Sequence, residues 1–456
     1  MGFAEAWYVM LSSRLVPGLD GGYTVAALAR ARQMADAGAS PVILTVDPGT
    51  PAAHAEHRSE FVRRGMLDDP RRLRNLFDEA SAPDGGAATW LRAAAAPGDA
   101  DPHLEYRRVT DAAGRPVVSL PVIAGDPDWH LTTAPVVVHD ADGGAVGVLE
   151  GFGALYRTWL DVVIADLRAI IDRPAVVICE SRQLGELLAP WNSPEARVIH
   201  TIHTIHLEPP FTPDAPVNPL WERWFSVAER FDAVLWPTPS QRDDVVARFG
   251  TSTAHAVVPN AVATVAFVVP AADRVPGRVV VVGRLAPGKR VDLAIRAFVL
   301  ADVPGATLDV YGDGAERASL QLLVDELGAG ASVVLRGSTD DPGAVLDAAS
   351  VYLSTSAFEG QGLALAEALS RGTPAVAFDI RYGPRDMLAS GGGVLVPDGD
   401  LDALASALAV VLGDEALRER LSSEAVAAAG RLAPERAMAA LASVVDDVFA
   451  RPSPRA

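Results

Sequence analysis

The chain has 456 residues, 49% hydrophobic and 21% charged, which is enough for two domains with separate cores. With 39 Lys+Arg against 58 Asp+Glu, the formal charge of −19 argues against sequence-independent binding to nucleic acid or an anionic lipid surface. A lone cysteine, Cys179, rules out an internal disulfide. No apolar run approaches the ~20 residues of a membrane helix and no leader pattern opens the chain, so a cytoplasmic protein without a membrane span is expected.

In chain order, residues 6–13 read as a strand, 17–22 as a tight loop ending in Gly21 and Gly22, 23–37 as a helix and 41–46 as a second strand. Such a βαβ unit puts its first loop at the carboxyl end of a strand, where open α/β sheets bind ligands. The glycine pair fits an ordinary helix-start turn equally well. From about 50 to 155 the pattern changes. A polar helical segment over 57–80 and an Ala/Gly/Pro-rich stretch over 81–102 precede short β-type runs at 106–110, 111–114, 116–121, 134–138 and 146–149. Together they predict a β-meander inserted into the first domain. Asp140 and Asp142 lie between two of these runs. An Asp-x-Asp pair is able to chelate a diphosphate through a divalent cation, but Asp-Gly-Gly between strands is hairpin chemistry, and no metal site is expected. Arg107, Arg108 and Arg115 form a local basic strip in the same block.

An amphipathic helix is predicted over 155–171, and strands over 175–179 and 197–206. The latter carries His200, His203 and His206. Alternation along a strand keeps the three off a common face, which argues against a zinc cluster. His203 or His206, where the strand runs out, is the candidate to touch an acceptor or a transferring group. A helix near 220–230, a strand at 233–236, a helix at 240–249 and a strand at 256–258 complete a first domain of residues 1–268, and 269–276 reads as a linker. Strand–helix alternation then continues through a second doubly wound domain, 277–433, whose loops include Arg336-Gly337. The last helix, 434–449, is expected to pack back on the first domain.

The most informative stretch is 353–386. A strand-like run leads to a loop with Glu359, Gly360, Gln361 and Gly362. A helix with Leu363 at its start and Glu367 inside it follows, then a second apolar strand. Arg284 and Lys289 occupy the loop after the first strand of the same domain. A fixed fork and a flexible point charge suit a diphosphate that gains charge as its bond to a sugar breaks. Backbone N–H groups at Gly362 and Leu363, at a helix N-terminus, suit the same phosphates.

These residues carry a resemblance. Gly-Arg-Leu-x-x-x-Lys at 283–289, the Glu359 and Glu367 pair, and Tyr382-Gly383-Pro384 are similar to motifs of the retaining GT-B nucleotide-sugar glycosyltransferases of family 4. Within that family the chain most resembles the wall-teichoic-acid poly(polyol-phosphate) α-glycosyltransferases and the O-GlcNAc transferases of serine-rich adhesins. These also have a β-rich insertion followed by a His-x-x-His strand. The resemblance implies an α/β GT-B fold, with two doubly wound Rossmann-like domains facing a cleft and a β-rich insertion in the first. It implies a UDP-sugar donor, a polymeric hydroxyl acceptor and no metal or other cofactor. By position, Glu367 would hold the ribose, Glu359 the donor sugar, and Arg284 and Lys289 the diphosphate with backbone at Gly360 to Leu363. Arg336 and Gly337 would lie beside the uracil, Gly21 and Gly22 would approach the donor or acceptor, and His203 or His206 the acceptor. Gln361 stands where the family commonly has a bulky aromatic. The β-rich insertion is a candidate surface for docking a polymer or for self-association, and its composition does not choose between them. Two other readings of the same fold are a non-catalytic acceptor-binding partner subunit and a sugar-nucleotide epimerase.

Overall fold

The structure, a computed structural model, describes residues 2–19, 21–82 and 86–455; Asp20 of the predicted glycine loop and 83–85 of the Ala/Gly/Pro-rich stretch lie outside them. In the first domain the strands are β1 (Trp7–Ser12), β2 (Val42–Thr45), β3 (Leu73–Asn75), β4 (Tyr106–Thr110), β5 (Pro116–Pro121), β6 (Pro135–His139), β7 (Ala145–Glu150), β8 (Ala175–Cys179), β9 (Ala196–Thr201), β10 (Ala233–Trp236) and β11 (His255–Val257). A seven-stranded parallel sheet runs β11-β10-β9-β8-β1-β2-β3. The second domain supplies β12 (Arg278–Val282), β13 (Thr307–Tyr311), β14 (Val333–Gly337), β15 (Val351–Ser354), β16 (Ala375–Phe378) and β17 (Gly393–Val396), in the parallel order β14-β13-β12-β15-β16-β17. Each sheet reverses its winding once, between β1 and β8 and between β12 and β15. Crevices open at such switch points, outside the carboxyl ends of the strands.

These strands form where apolar runs are unbroken. Ala175–Cys179 is buried along its whole length, as a parallel strand covered on both faces must be. Residues 51–80 differ from the sequence expectation. A helix over Pro51–Arg63 is followed by β3, which pairs in parallel with β2 and closes that side of the main sheet. The inserted antiparallel sheet, β4-β5-β6-β7, begins at Tyr106, where the first β-type run is read. Residues 111–114, expected as a strand, are the turn between β4 and β5, closed by Asp111 N–H donating to the Arg115 carbonyl at 2.9 Å. Asp140 is likewise a hairpin residue, its Oδ1 accepting from the N–H groups of Asp142 and Gly144. The helix Gly151–Ile170 joins the two sheets, burying Leu155, Tyr156, Trp159, Leu160 and Val163 in one core with β5, β6 and β8.

Two features couple the domains. The helix Pro434–Phe449 buries Ala437, Met438, Leu441, Val445 and Val448 against Tyr8 and Met10 in the first domain's core. Across the cleft, the Arg381 guanidinium pairs with Asp244, and Asp386 accepts from the N–H and hydroxyl of Ser240 in the first turn of helix Pro239–Phe249.

Candidate functional site

The loops after β12 and β15, which flank the second domain's switch point, are latched together. Arg290, in left-handed conformation at φ 48°, donates from Nε to the Thr355 carbonyl (2.8 Å) and from a terminal nitrogen to the Ser356 carbonyl (2.7 Å). The Thr355 hydroxyl donates back to the Lys289 carbonyl at 3.1 Å. Ala357 N–H donates to the Gly288 carbonyl at 2.8 Å. This latch brings Lys289 Nζ to 2.5 Å from Glu359 Oε1, which also accepts from the Ser356 hydroxyl at 2.7 Å. Arg284 lies exposed in the same loop, its guanidinium without a hydrogen-bonding or ion-pair partner among the described residues. Gly362, at φ 92°, caps helix Leu363–Ser370 in a conformation glycine adopts without strain. Gly383 is equally constrained: a Cβ there would lie 2.1 Å from the Gln361 carbonyl oxygen.

The first domain brings its own helix start to this place. A Cβ on Gly22 would lie 3.3 Å from a Leu363 methyl, so the N-termini of helices Gly22–Asp36 and Leu363–Ser370 meet across the cleft, with exposed Gly21 beside them. Two helix N-termini and two cations give the junction a positive potential. A cavity of about 890 Å³ runs between these helices, with Leu363, Glu367, Arg371, Pro342 and Gly343 on one wall and Val25, Ala29 and Gln33 on the other. Burial raises the Glu367 carboxyl above the ordinary carboxylate range, with Arg371 opposing the shift.

The histidines separate. The strand stops at Thr201, so alternation does not govern the residues after it. His200 is buried on β9 with its ring 5.0 Å from those of Trp224 and Phe231, and burial lowers it to about 3. His206 is also buried, stacked parallel to Tyr382 with Gln241 Nε2 at 3.5 Å from its Nδ1; burial lowers it to about 4. Only His203 stays partly exposed. Its carbonyl abuts Gly360, where a Cβ would come within 2.4 Å, and its ring lies edge-on to Tyr23 at 5.1 Å. Its Nε2 is 2.6 Å from Oε2 of buried Glu180.

Two further predicted residues have other engagements. Gln361 is buried and exchanges two 2.8 Å hydrogen bonds with the backbone of Asn260, its side chain acting as a strut between domains. Arg336, next to last in β14, donates from Nε to Asp309 Oδ1 at 2.7 Å, and Gly337 ends the strand at φ 79°. Of the basic strip, Arg115 is bound to Asp111, which leaves Arg107 and Arg108 exposed on β4. Among the described residues no group of three or more His, Cys, Asp or Glu is gathered for a metal ion, and no helix is long and apolar enough to cross a membrane.

Residues 269–427 match the family described as "Glycosyl transferases group 1". This segment is a glycosyl transferases group 1 domain. The chain is 28% identical over 261 residues to the poly(glycerol-phosphate) alpha-glucosyltransferase of Bacillus subtilis, covering 56% of this chain and 38% of that protein. It is 36% identical over 131 residues to the GtfA subunit of the UDP-N-acetylglucosamine–peptide N-acetylglucosaminyltransferase of Streptococcus gordonii, covering 28% of this chain and 26% of that protein. The chain thus spans well under half the length of these relatives. In three dimensions it is similar to a mutant of S. aureus TarM in complex with fondaparinux, α-GlcNAc-glycerol and UDP (TM-score 0.74, 18% identity, covering 97% of this chain and 100% of that one). It is also similar to the pneumococcal O-GlcNAc transferase GtfA in complex with UDP and GlcNAc (TM-score 0.69, 16% identity, covering 98% and 100%). At these identities the likeness is one of fold, and the fold is GT-B.

Within the group 1 domain, Arg290 and Ser356 were missed by sequence reasoning. Arg290 directly follows Lys289, and its left-handed backbone is what turns its side chain back on the Thr355 strand end. Outside the group 1 domain, Glu180, Arg30 and Asn260 were missed. A carboxylate directly after a wholly apolar strand was the available signal for Glu180, but its partners are distant in sequence.

Proposed function

We propose that the chain is a retaining glycosyltransferase. It moves a hexose or N-acetylhexosamine from a UDP-sugar to a hydroxyl of a polymeric acceptor, either a teichoic-acid-type polymer or a Ser/Thr-rich protein. The observation that carries this reading is the convergence of Arg284, Lys289 and two helix N-termini beside Glu359 at one switch point. The group 1 domain and the named activities of the relatives agree with it.

In this reading the diphosphate lies against the helix starts and takes Lys289 away from Glu359. The freed Glu359 carboxylate, still held by Ser356, accepts hydrogen bonds from the donor sugar. Glu367 accepts from the ribose hydroxyls on the cavity wall, and the segment from Arg336 to Pro342 borders the base. As the anomeric C–O bond breaks, its electron pair goes to the β-phosphate, where Arg284, Lys289 and the Gly362–Leu363 amides meet the new charge without reorganisation. The acceptor hydroxyl attacks from the same face, and its proton passes to the departing phosphate. No carboxylate takes the position of a covalent nucleophile, so Glu359 orients and stabilises.

The fixed cations make the reaction independent of a divalent metal. The test offers UDP-glucose, UDP-N-acetylglucosamine and UDP-galactose with teichoic-type polymer and serine-rich peptide side by side, reading UDP release with and without EDTA. Turnover with one pair, unchanged by EDTA, is expected. Failure of every pair together with no UDP binding would refute the assignment, and UDP binding without turnover or donor hydrolysis would point to a non-catalytic partner.

A further inference from the structure

Glu180 is the first residue after β8 and therefore stands at the switch point of the first domain, opposite the one that holds Lys289 and Glu359. It is buried, and its two oxygens face different groups. Oε1 is 3.7 Å from Nε of buried Arg30 and has no hydrogen-bond donor; Oε2 is 2.6 Å from His203 Nε2. Arg30 is fixed in turn, donating to Thr201 Oγ1 at 3.3 Å and to Asn260 Oδ1 at 2.8 Å. Asn260 is the residue clasped by Gln361. A line of polar contacts thus runs from the Glu359–Gly362 loop through Gln361, Asn260, Arg30 and Glu180 to His203, and His203's own carbonyl returns to Gly360.

We propose that Glu180 is a positioning residue that fixes His203 as the Nε2–H tautomer and leaves Nδ1 as a lone-pair acceptor for a hydroxyl of the sugar or the acceptor. The proposal deepens the transferase reading and rests on it for the identity of that hydroxyl. Three facts support it. Burial would raise the Glu180 carboxyl, but Arg30 and His203 outweigh burial and lower it, so it stays ionised. An ionised carboxylate only accepts, so the nitrogen 2.6 Å away must carry the proton. Arg30 balances the Glu180 charge, so the imidazole does not have to be protonated to satisfy it. Nδ1 has no protein partner among the described residues and is not among the buried unpartnered atoms, and the side chain is partly exposed.

The substitution Glu180→Gln keeps shape and removes charge. Its carbonyl oxygen faces the positive charge of Arg30, which repels the amide N–H₂, so the N–H₂ turns to His203, Nε2 becomes an acceptor and the proton moves to Nδ1. The test is two-bond ¹H–¹⁵N spectroscopy of the histidine-labelled full chain, with His203 assigned by His203→Gln, alongside steady-state kinetics. The wild-type ring should show the Nε2–H pattern and Glu180→Gln the Nδ1–H pattern. kcat should fall roughly a hundredfold or more, while UDP affinity, which in the proposed reading rests on Lys289, Glu367 and the two helix N-termini and not on His203, stays unchanged. A wild-type Nδ1–H pattern, or a Glu180→Gln enzyme with near-wild-type kcat, overturns the proposal. If the wild type neither binds UDP nor transfers sugar, the transferase reading has failed, whereas the wild-type tautomer still decides the role of Glu180.

Discussion

At the scale of single residues, the charged groups of the cleft differ in what holds them. Lys289 rests on Glu359, whereas Arg284 is open to solvent, so the two cations should fail differently. Lys289→Ala frees Glu359 beside the phosphates and should abolish transfer and weaken UDP binding. Arg284→Ala should abolish transfer while the melting temperature stays at the wild-type value; near-wild-type turnover in both folded variants would remove the diphosphate assignment. Burial raises Glu367, and in the proposed reading only its ionised form accepts two ribose hydroxyls. UDP binding followed by calorimetry should therefore weaken on acidification from above the ordinary carboxylate range. Glu367→Gln should lack that component, the difference between the two curves cancelling the titration of UDP itself. A fourth charge is structural. Burial lowers His54, but its hydrogen bonds to the Asp47 and Asp78 carboxylates outweigh it and raise the ring to about 9. A raised folded value stabilises below the unfolded value of about 6.5 and loses that stabilisation as pH climbs through about 9, on the order of 3 kcal/mol in all. The wild-type melting temperature should fall across that window, and His54→Gln should be lower at neutral pH and flat there.

At the scale of elements, the site is made by strand ends and helix starts rather than by any one motif. The β12 and β15 loops are tied by Arg290 and Thr355, and this tie sets Lys289 beside Glu359. Gly360 and Gly383 are glycines because backbone from elsewhere occupies the place of a Cβ. Gly360→Ala sets a methyl 2.4 Å from the His203 carbonyl oxygen, a contact that has to be relieved by moving the domains apart. The expected outcome is a stable, folded group 1 domain with transfer reduced by two orders of magnitude or more, on the scale of a roughly 1 Å misplacement of reacting groups. An unaltered kcat would show that this contact does not set the catalytic geometry. The histidine-bearing segment shows how element boundaries decide roles. Period-two alternation was applied through residue 206, but pairing with β10 ends at Thr201. Beyond it, packing alone sends His206 inward and leaves His203 at the cleft.

For the whole molecule, the question is what keeps the two domains closed. Arg381 with Asp244 and Asp386 with Ser240 fasten the Tyr382–Pro384 loop to the start of helix Pro239–Phe249, and Gln361 fastens the neighbouring loop to Asn260. Reversing one charge, Arg381→Glu or Asp244→Arg, leaves a like pair in the cleft and should raise the radius of gyration measured by small-angle X-ray scattering. The double reversal should restore it, as expected of a directly coupled pair. If each single variant matched the wild type, closure would rest on the apolar contacts instead, such as Phe211 on Phe358.

Periodicity and composition alone determined the two doubly wound domains, the antiparallel insertion and the strand-end loops that carry the candidate site residues. These depend on contiguous residues: apolar runs make strands, glycine and proline end them, and Arg284, Lys289, Glu359 and Glu367 lie within or beside such punctuation. Other features depend on partners far along the chain and are not legible from contiguous residues. The three-residue strand at Leu73–Asn75 is legible only as the neighbour of β2, and the Gln361 side chain only as the partner of Asn260. Tertiary structure alone decided which histidine remains at the cleft and which carboxylate stands behind it. Arg30, Glu180 and His203 lie on three separate segments, and only the winding of one sheet about its switch point brings their charges together.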